Sequence, residues 1–178
     1  MVRAVSDTSD PLSDVEATAA PSFDTAHFRS VLGHFCSGIT IVTAVDDGEP
    51  VGLTCQSFCS VSLEPPLVAF APSKSSTSWP RIQRTGVFCV NVLDEDQEEV
   101  CRVFATSGAD KFRGVGWRPA ETGSPILEDA LAWVDCRIER QHDAGDHVIV
   151  VGRVLELASA RSGRPLLFYR AGYGRFEA

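Results

Sequence analysis

Hydroxyls crowd two stretches of this chain in patterns that ordinary secondary structure does not require. The first is Thr54-Cys55-Gln56-Ser57-Phe58-Cys59-Ser60-Val61-Ser62, where polar groups fall at positions that a barrel strand would alternate cleanly. Inward-facing polar groups need partners. Neighbouring backbone in a bulge would serve, and so would a flat heteroaromatic with several donors and acceptors, such as an isoalloxazine ring. The second stretch runs from Pro72 to Arg81 and carries four serines, Thr77 and Lys74 ahead of a predicted helix. Free backbone N–H groups and the positive end of a helix dipole favour a phosphate there. An ordinary Ser/Thr cap is the simpler alternative; Lys74 favours the anion, and Pro80 suits the first helical turn.

The segment His142-Asp143-Ala144-Gly145-Asp146-His147 gathers two histidines and two aspartates in six residues. It lacks the third ligand and the spacing of a zinc site, and it reads as a tight polar turn between strands. His147 opens the following strand and can point into a cleft. Asp110-Lys111-Phe112 joins charges to an aromatic, with a surface salt bridge as its plain reading. Cys36, Cys55 and Cys59 have no adjacent basic residue to lower a thiol pKa, so buried, inert thiols are expected. There is no G-x-x-x-x-G-K-[ST], no G-x-S-x-G and no H-E-x-x-H. Gly114-Val-Gly116-Trp lacks the third glycine of a dinucleotide fingerprint, so any nucleotide must bind by other means.

The elements that must hold these groups are mostly strands. ITIVTAV (39–45) and VGLTCQSF (51–58) flank Asp46-Asp47-Gly48-Glu49-Pro50 and form a hairpin. SVSL (60–63), LVAFA (67–71), VFCVNVL (87–93), LAWVDCRIERQ (131–141), HVIVVGRVLEL (147–157) and PLLFYR (165–170) follow, each rich in β-branched or aromatic residues and bounded by breakers. Phe28, Val31, Leu32 and Phe35 recur at helical spacing, predicting a short helix capped by Asp24 or Thr25, stopped by Gly38 and laid against a sheet. Two further helices are expected over about 77–85 and 95–106, the second capped by Asp94 with Val100, Val103 and Phe104 inward. The fold class is therefore mostly β with a few short helices, a small barrel of six or seven largely antiparallel strands.

A length of 178 residues suits one domain with a tail. Residues 1–22 form the expected acidic, disordered tail and 23–178 the folded domain. The net charge of −8 argues against nucleic acid or anionic lipid as partner, and no apolar run is long enough for a membrane helix. Six cysteines without a C-x-x-C pair, and an N-terminus without an apolar leader, point to the cytoplasm.

GLTCQSFCSVSLEPPLV (52–68) resembles the G-x-T-x-x-S-F-x-S-V-S-x-x-P-P-L signature of the flavin reductase family, the reductase components of two-component flavin-dependent monooxygenases. The series continues with FCVNVL (88–93), Phe104, DKF (110–112), GSPIL (123–127), GDHVIVVGRV (145–154) and RPLLFYRAGY (164–173). The resemblance covers about residues 25–175 and implies a flavin-binding split β-barrel that forms a homodimer. It implies that Thr54, Gln56 and Ser57 border the flavin, with Gln56 where the family more usually has Asn, and that Ser60, Val61 and Ser62 continue the wall. Lys74, Ser75, Ser76 and Thr77 would take the phosphate, Lys111 and Phe112 would close over the ligand, His147 would sit by the nicotinamide, and Tyr169 and Tyr173 would line the cleft.

The implied activity is hydride transfer from NAD(P)H, with NADH preferred, to FAD or FMN, with the reduced flavin passed to a monooxygenase. Hydride transfer is performed by the cofactors, so no catalytic triad, carboxylate pair or metal is expected and the protein's residues act by positioning. A non-catalytic flavin- or haem-binding module, or a subunit that activates an oxygenase by contact, would use the same barrel.

Overall fold

The computed structural model describes residues 22–177, so the tail expected over 1–22 lies, up to residue 21, outside the described residues. The chain divides into two units, Met1–Leu32 and Gly33–Ala178. In the described part of the first unit, α1 spans Thr25–Leu32. Asp24 caps it, its Oδ1 accepting the His27 amide at 2.7 Å. The helix ends well before Gly38, and none of its residues is buried. Its apolar stripe of Phe28, Val31 and Leu32 is about half exposed.

The second unit contains β1 (Ser37–Gly38), β2 (Thr40–Asp46), β3 (Glu49–Cys55), β4 (Cys59–Leu63), β5 (Pro66–Phe70), α2 (Trp79–Thr85), β6 (Val87–Val92) and α3 (Glu98–Ala105). These are followed by β7 (Trp117–Pro119), β8 (Pro125–Leu127), β9 (Ala132–Ala144), β10 (His147–Ser159), β11 (Leu166–Tyr169) and β12 (Gly172–Arg175). The principal sheet has seven strands in the order β3-β2-β6-β9-β10-β5-β4. All its pairings are antiparallel. β1, β11 and β12 form a second small sheet, and β7 with β8 a ribbon. The expected split barrel of antiparallel strands is thus the fold. Its two edge strands, β3 and β4, are consecutive in the chain.

β-branched and aromatic side chains from the strands make the core. Val42, Leu53, Phe70, Phe88, Val90 and Val150 pack with Trp79 and Ile82 of α2. Ile39, Ile41, Leu93 and Leu166 pack with Cys101 and Phe104 of α3. Burying such side chains stabilises the fold by about 1.5–3 kcal/mol each. A Cβ on Gly52 would lie 2.6 Å from the Phe104 ring, so the absent side chain lets α3 sit directly on β3.

α3 starts at Glu98 rather than near residue 95. Asp94 does not cap it: Asp94 Oδ1 accepts the Asp96 amide at 3.1 Å, while Gln97 Oε1 accepts the Asp94 amide at 3.0 Å. These two bonds form a separate turn ahead of the helix.

Candidate active site

The end of β3, the loop before α2 and the start of β10 converge on one cleft of about 660 Å³. Backbone hydrogen bonds bring the last two together although more than sixty residues separate them. The Lys74 amide donates to Asp146 O at 2.9 Å, the Val148 amide donates to Pro72 O at 3.1 Å, and Ser73 bridges His147. The serine loop is in effect a short antiparallel extension of β10. Gly145, at φ 65°, permits the tight turn from β9 into β10.

Thr54, Gln56 and Ser57 line the cleft from β3 and the connector after it. Thr54 Oγ1 donates to Cys101 O at 2.8 Å, and Ser57 Oγ accepts the Ala71 amide at 2.8 Å. Both hydroxyls therefore have backbone partners, which fixes their orientation. Ser57 uses its hydroxyl to tie the connector to the chain beyond β5. Gln56 is exposed and makes no hydrogen bond among the described residues.

On the opposite wall lie Ser75, Ser76 and Thr77. Ser73 and Ser75 hydroxyls are 2.8 Å apart, and Ser76 Oγ accepts the Trp79 amide at 3.2 Å. Thr77 is exposed and makes no hydrogen bond among the described residues. Lys74 stands outside the lining: its ammonium pairs with Asp143 at 3.0 Å.

His147 lines the cleft, with Nδ1 2.7 Å from Asp146 Oδ1. That contact fixes the imidazole's orientation. The His147 hydrogen bond also holds the Asp146 carboxyl below its ordinary value.

Lys111 is half-buried. Its Nζ donates to Phe104 O at 2.8 Å, Gly52 O at 3.0 Å and Ser78 Oγ at 3.1 Å, using all three protons on the protein. Burial lowers its pKa below the ordinary lysine value. The residue is a staple beneath the cleft rather than an arm free to close over it. Phe112 packs edge-on against Phe104, with ring centroids 5.0 Å apart, and faces a neighbouring cavity instead.

Five expected residues lie elsewhere. Ser60, Val61 and Ser62 are on β4, which leaves the cleft to pair with β5 around a bulge between Ser60 and Ser62. Tyr169 is exposed and packs edge-on against His34. Tyr173 packs on Phe168, with the Arg102 guanidinium 4.5 Å above its ring, and its hydroxyl accepts from the Cys101 thiol at 3.5 Å. That thiol contact and burial raise the Tyr173 pKa to about 12.

Ser73 and Ser78 of the serine loop, Phe104 of α3 and Ser107 line the cleft too. The Ser-Ser-Thr-Ser run held the signal for Ser78; nothing local marked Ser107. Burial raises the Cys55 and Cys101 thiols above the ordinary cysteine value, which suits inert packing, whereas Cys36 and Cys59, also expected to be buried, are exposed. Among the described residues no group of three or more His, Cys, Asp or Glu side chains converges to hold a metal. No helix among them is long and apolar enough to cross a membrane.

Residues 32–177 match the family model described as flavin reductase like domain. The reductase subunit HsaB of a flavin-dependent monooxygenase from Rhodococcus jostii is 53% identical over 161 residues, covering 90% of this chain and 83% of that protein. The crystal structure of nitrilotriacetate monooxygenase component B from Mycobacterium thermoresistibile is 50% identical with a TM-score of 0.83, covering 85% of this chain and 86% of that one. An NADH:FAD oxidoreductase from Streptomyces globisporus, in complex with NAD and FAD fragments, is 36% identical with a TM-score of 0.82 and covers 90% of this chain and 98% of that one.

Proposed function

Because the chain belongs to the flavin reductase-like family and is an oxidoreductase of the reductase-component type, we propose that it transfers a hydride from NADH to FAD or FMN and supplies the reduced flavin to a partner monooxygenase. The observation that carries this reading is the meeting of Thr54, Gln56 and Ser57 with the Ser75–Thr77 loop and His147 in one cleft. A flavin has the same division, a ring edge rich in donors and acceptors joined to a phosphate. Its ring would lie along the β3 end, with the free side chain of Gln56 available to it. The phosphate would reach Ser75, Ser76 and Thr77. Lys74 would join them by exchanging its exposed contact with Asp143, and such surface pairs hold by only about 0–1 kcal/mol.

When bound, the two cofactors supply the chemistry, hydride passing from nicotinamide C4 to flavin N5. The protein's part is positioning. Asp146 orients the His147 imidazole, which presents its other nitrogen to the nicotinamide. The stitched loop and β10 keep that imidazole at a set distance from the phosphate-binding hydroxyls. No side chain in the cleft need accept or donate a proton for the hydride step.

A homodimer belongs to this reading. The exposed Val61 and Leu63 of β4, and Leu155 and Leu157 of β10, support it as apolar surface of the kind that pairing covers. So does a cytoplasmic setting, which the six free cysteines suit. The test is steady-state oxidation of NADH by purified protein with FAD, FMN or no flavin added. Saturable turnover that requires added flavin is the expected result. Flavin retention without turnover would instead identify a binding module.

A further inference from the structure

A cavity of about 440 Å³ lies between the β7–β8 ribbon and the paired ends of β9 and β10, where Trp133 pairs with Ala158. None of its lining residues lines the cleft, so the reaction described above makes no use of it. Its volume falls within the range of about 300–1,000 Å³ usual for small-molecule sites.

Trp133 is the unusual member of the lining. It is 4% exposed and packs with Ile126 and Ala158, yet its indole N–H, a donor only, has no acceptor among the described residues. Buried indoles usually pair that proton. Among the described residues the one fully enclosed side-chain polar atom without a partner is Glu95 Oε2, so the Trp133 nitrogen is not walled in by protein. It opens on the cavity that its ring lines. What it lacks is an acceptor from outside the chain.

Two charges in the same lining are equally unengaged. The Arg118 guanidinium rests over the Trp133 ring, 5.5 Å from its centroid, and makes no hydrogen bond or ion pair among the described residues. Its planar fork of N–H groups is free for a carboxylate. Glu128 lies two residues beyond Ile126, the partner of Arg118 across the ribbon. The two are therefore diagonal neighbours at about 7–8 Å, within reach of long side chains. They do not pair. The Glu128 carboxylate is folded back into the space that a Cβ on Gly116 would fill, and it too has no partner among the described residues. The other two charges of the lining satisfy each other: Arg161 Nη1 is 3.1 Å from Asp129 Oδ1, and Arg161 Nη2 is 3.5 Å from Asp94 Oδ2. A cation, an anion and a neutral donor thus stay open around an apolar floor.

We propose that this cavity binds a free α-amino acid with an aliphatic side chain, its carboxylate accepting from Arg118 and the Trp133 indole and its ammonium donating to Glu128. The side chain rests on Ile126 and Ala158. A simple carboxylate would set a second anion beside Glu128, and like charges held together are costly. A simple amine would leave both donors empty. A zwitterion answers all three groups.

The test titrates the full chain with L-leucine and with two analogues, isocaproate, which lacks the ammonium, and isoamylamine, which lacks the carboxylate. Binding is read from the Trp133 indole N–H resonance of isotope-labelled protein, assigned by its loss in Trp133→Phe. The Trp79 indole, in the main core, reports that the fold is intact. Leucine is expected to move the Trp133 resonance downfield with a Kd of about 1 mM or tighter, and to bind about tenfold or more tightly than either analogue. Arg118→Gln should weaken leucine by about tenfold or more. Glu128→Gln should weaken leucine while leaving isocaproate unweakened. No saturable shift with leucine up to about 10 mM, or an affinity unaltered in both variants, overturns the inference. Isocaproate bound as tightly as leucine also overturns it, since the site would then take simple carboxylates. The flavin reading stands in each case, because none of these residues lines the cleft.

Discussion

Replacing Lys111 by Met keeps the aliphatic stem and deletes the ammonium that joins β3, α3 and the loop before α2. Three hydrogen bonds disappear, to Phe104 O, Gly52 O and Ser78 Oγ. Hydrogen bonds to charged groups contribute about 1.5–3 kcal/mol each when counted singly. These three share one half-buried group, however, and deleting it also relieves the cost of desolvating it, so the sum is not threefold. Water can reach the freed carbonyls from the cavities on either side. The net loss is therefore about 2–3 kcal/mol, or a fall in melting temperature of roughly 4–12 °C for a chain of this size. Differential scanning calorimetry measures the stability, and flavin titration of the same sample measures the site. Both should fall together, because Ser78 and Phe104 line the cleft that Lys111 holds in shape. A melting temperature lowered by less than about 2 °C with undiminished flavin affinity would refute the staple argument.

Gly52→Ala places a Cβ 2.6 and 2.9 Å from two Phe104 ring carbons and 3.2 Å from Val42 O; urea denaturation should show a loss of about 1–3 kcal/mol, the usual cost of overpacking. Asp46 accepts from Arg81 Nε at 2.9 Å and from an Arg84 NH at 2.7 Å, and chiefly the Arg81 bond lowers its pKa below the ordinary 3.8. A lowered folded-state pKa contributes stability above the unfolded value that is lost as pH falls through the folded one. The natural chain should therefore lose stability below about pH 4 more steeply than Asp46→Asn, in unfolding curves taken across that range. His147→Ala should raise the KM for NADH while changing flavin affinity little, as read by initial rates and by flavin fluorescence titration; poorer flavin binding with unaltered NADH dependence would reverse the assignment.

The strands were legible because their signals are local. β-branched runs between Gly, Pro and Asp breakers placed β2, β3, β5, β6, β9 and β10 close to their observed bounds, since each carries an apolar run that packs into the core. β1, β7, β8 and β12 are only two to four residues long and leave no periodic trace. The helical spacing of Phe28, Val31 and Leu32 marks α1, though periodicity reports which residues share a face and not what covers it. Thr54, Ser57, Ser75, Ser76, Thr77 and His147, conspicuous in the sequence as a hydroxyl-rich loop and a polar turn in an apolar chain, line one cleft. The role of Lys111 was hidden. Its three acceptors come from residues 52, 78 and 104, and no spacing rule joins them. Ser60, Val61 and Ser62 follow Ser57 closely in sequence, yet the chain bends at Gln56 and by Cys59 has entered β4, so proximity along the chain does not carry them into the cleft lining.

The stitching of the Ser73–Thr77 loop to the start of β10 has a consequence for how this protein tolerates change in length. Most hairpin turns on a barrel rim accept inserted residues, because nothing else depends on where their tips lie. The β9–β10 turn is different, since Asp146 and Val148 each hydrogen-bond to the loop between β5 and α2. A residue inserted between Ala144 and His147 would shift the register of both segments at once, moving the imidazole and the serine hydroxyls together. Length variation among functional forms of this chain should therefore collect in connections whose tips hold no such partner, such as the exposed Asp47-Gly48 turn between β2 and β3, and spare this one.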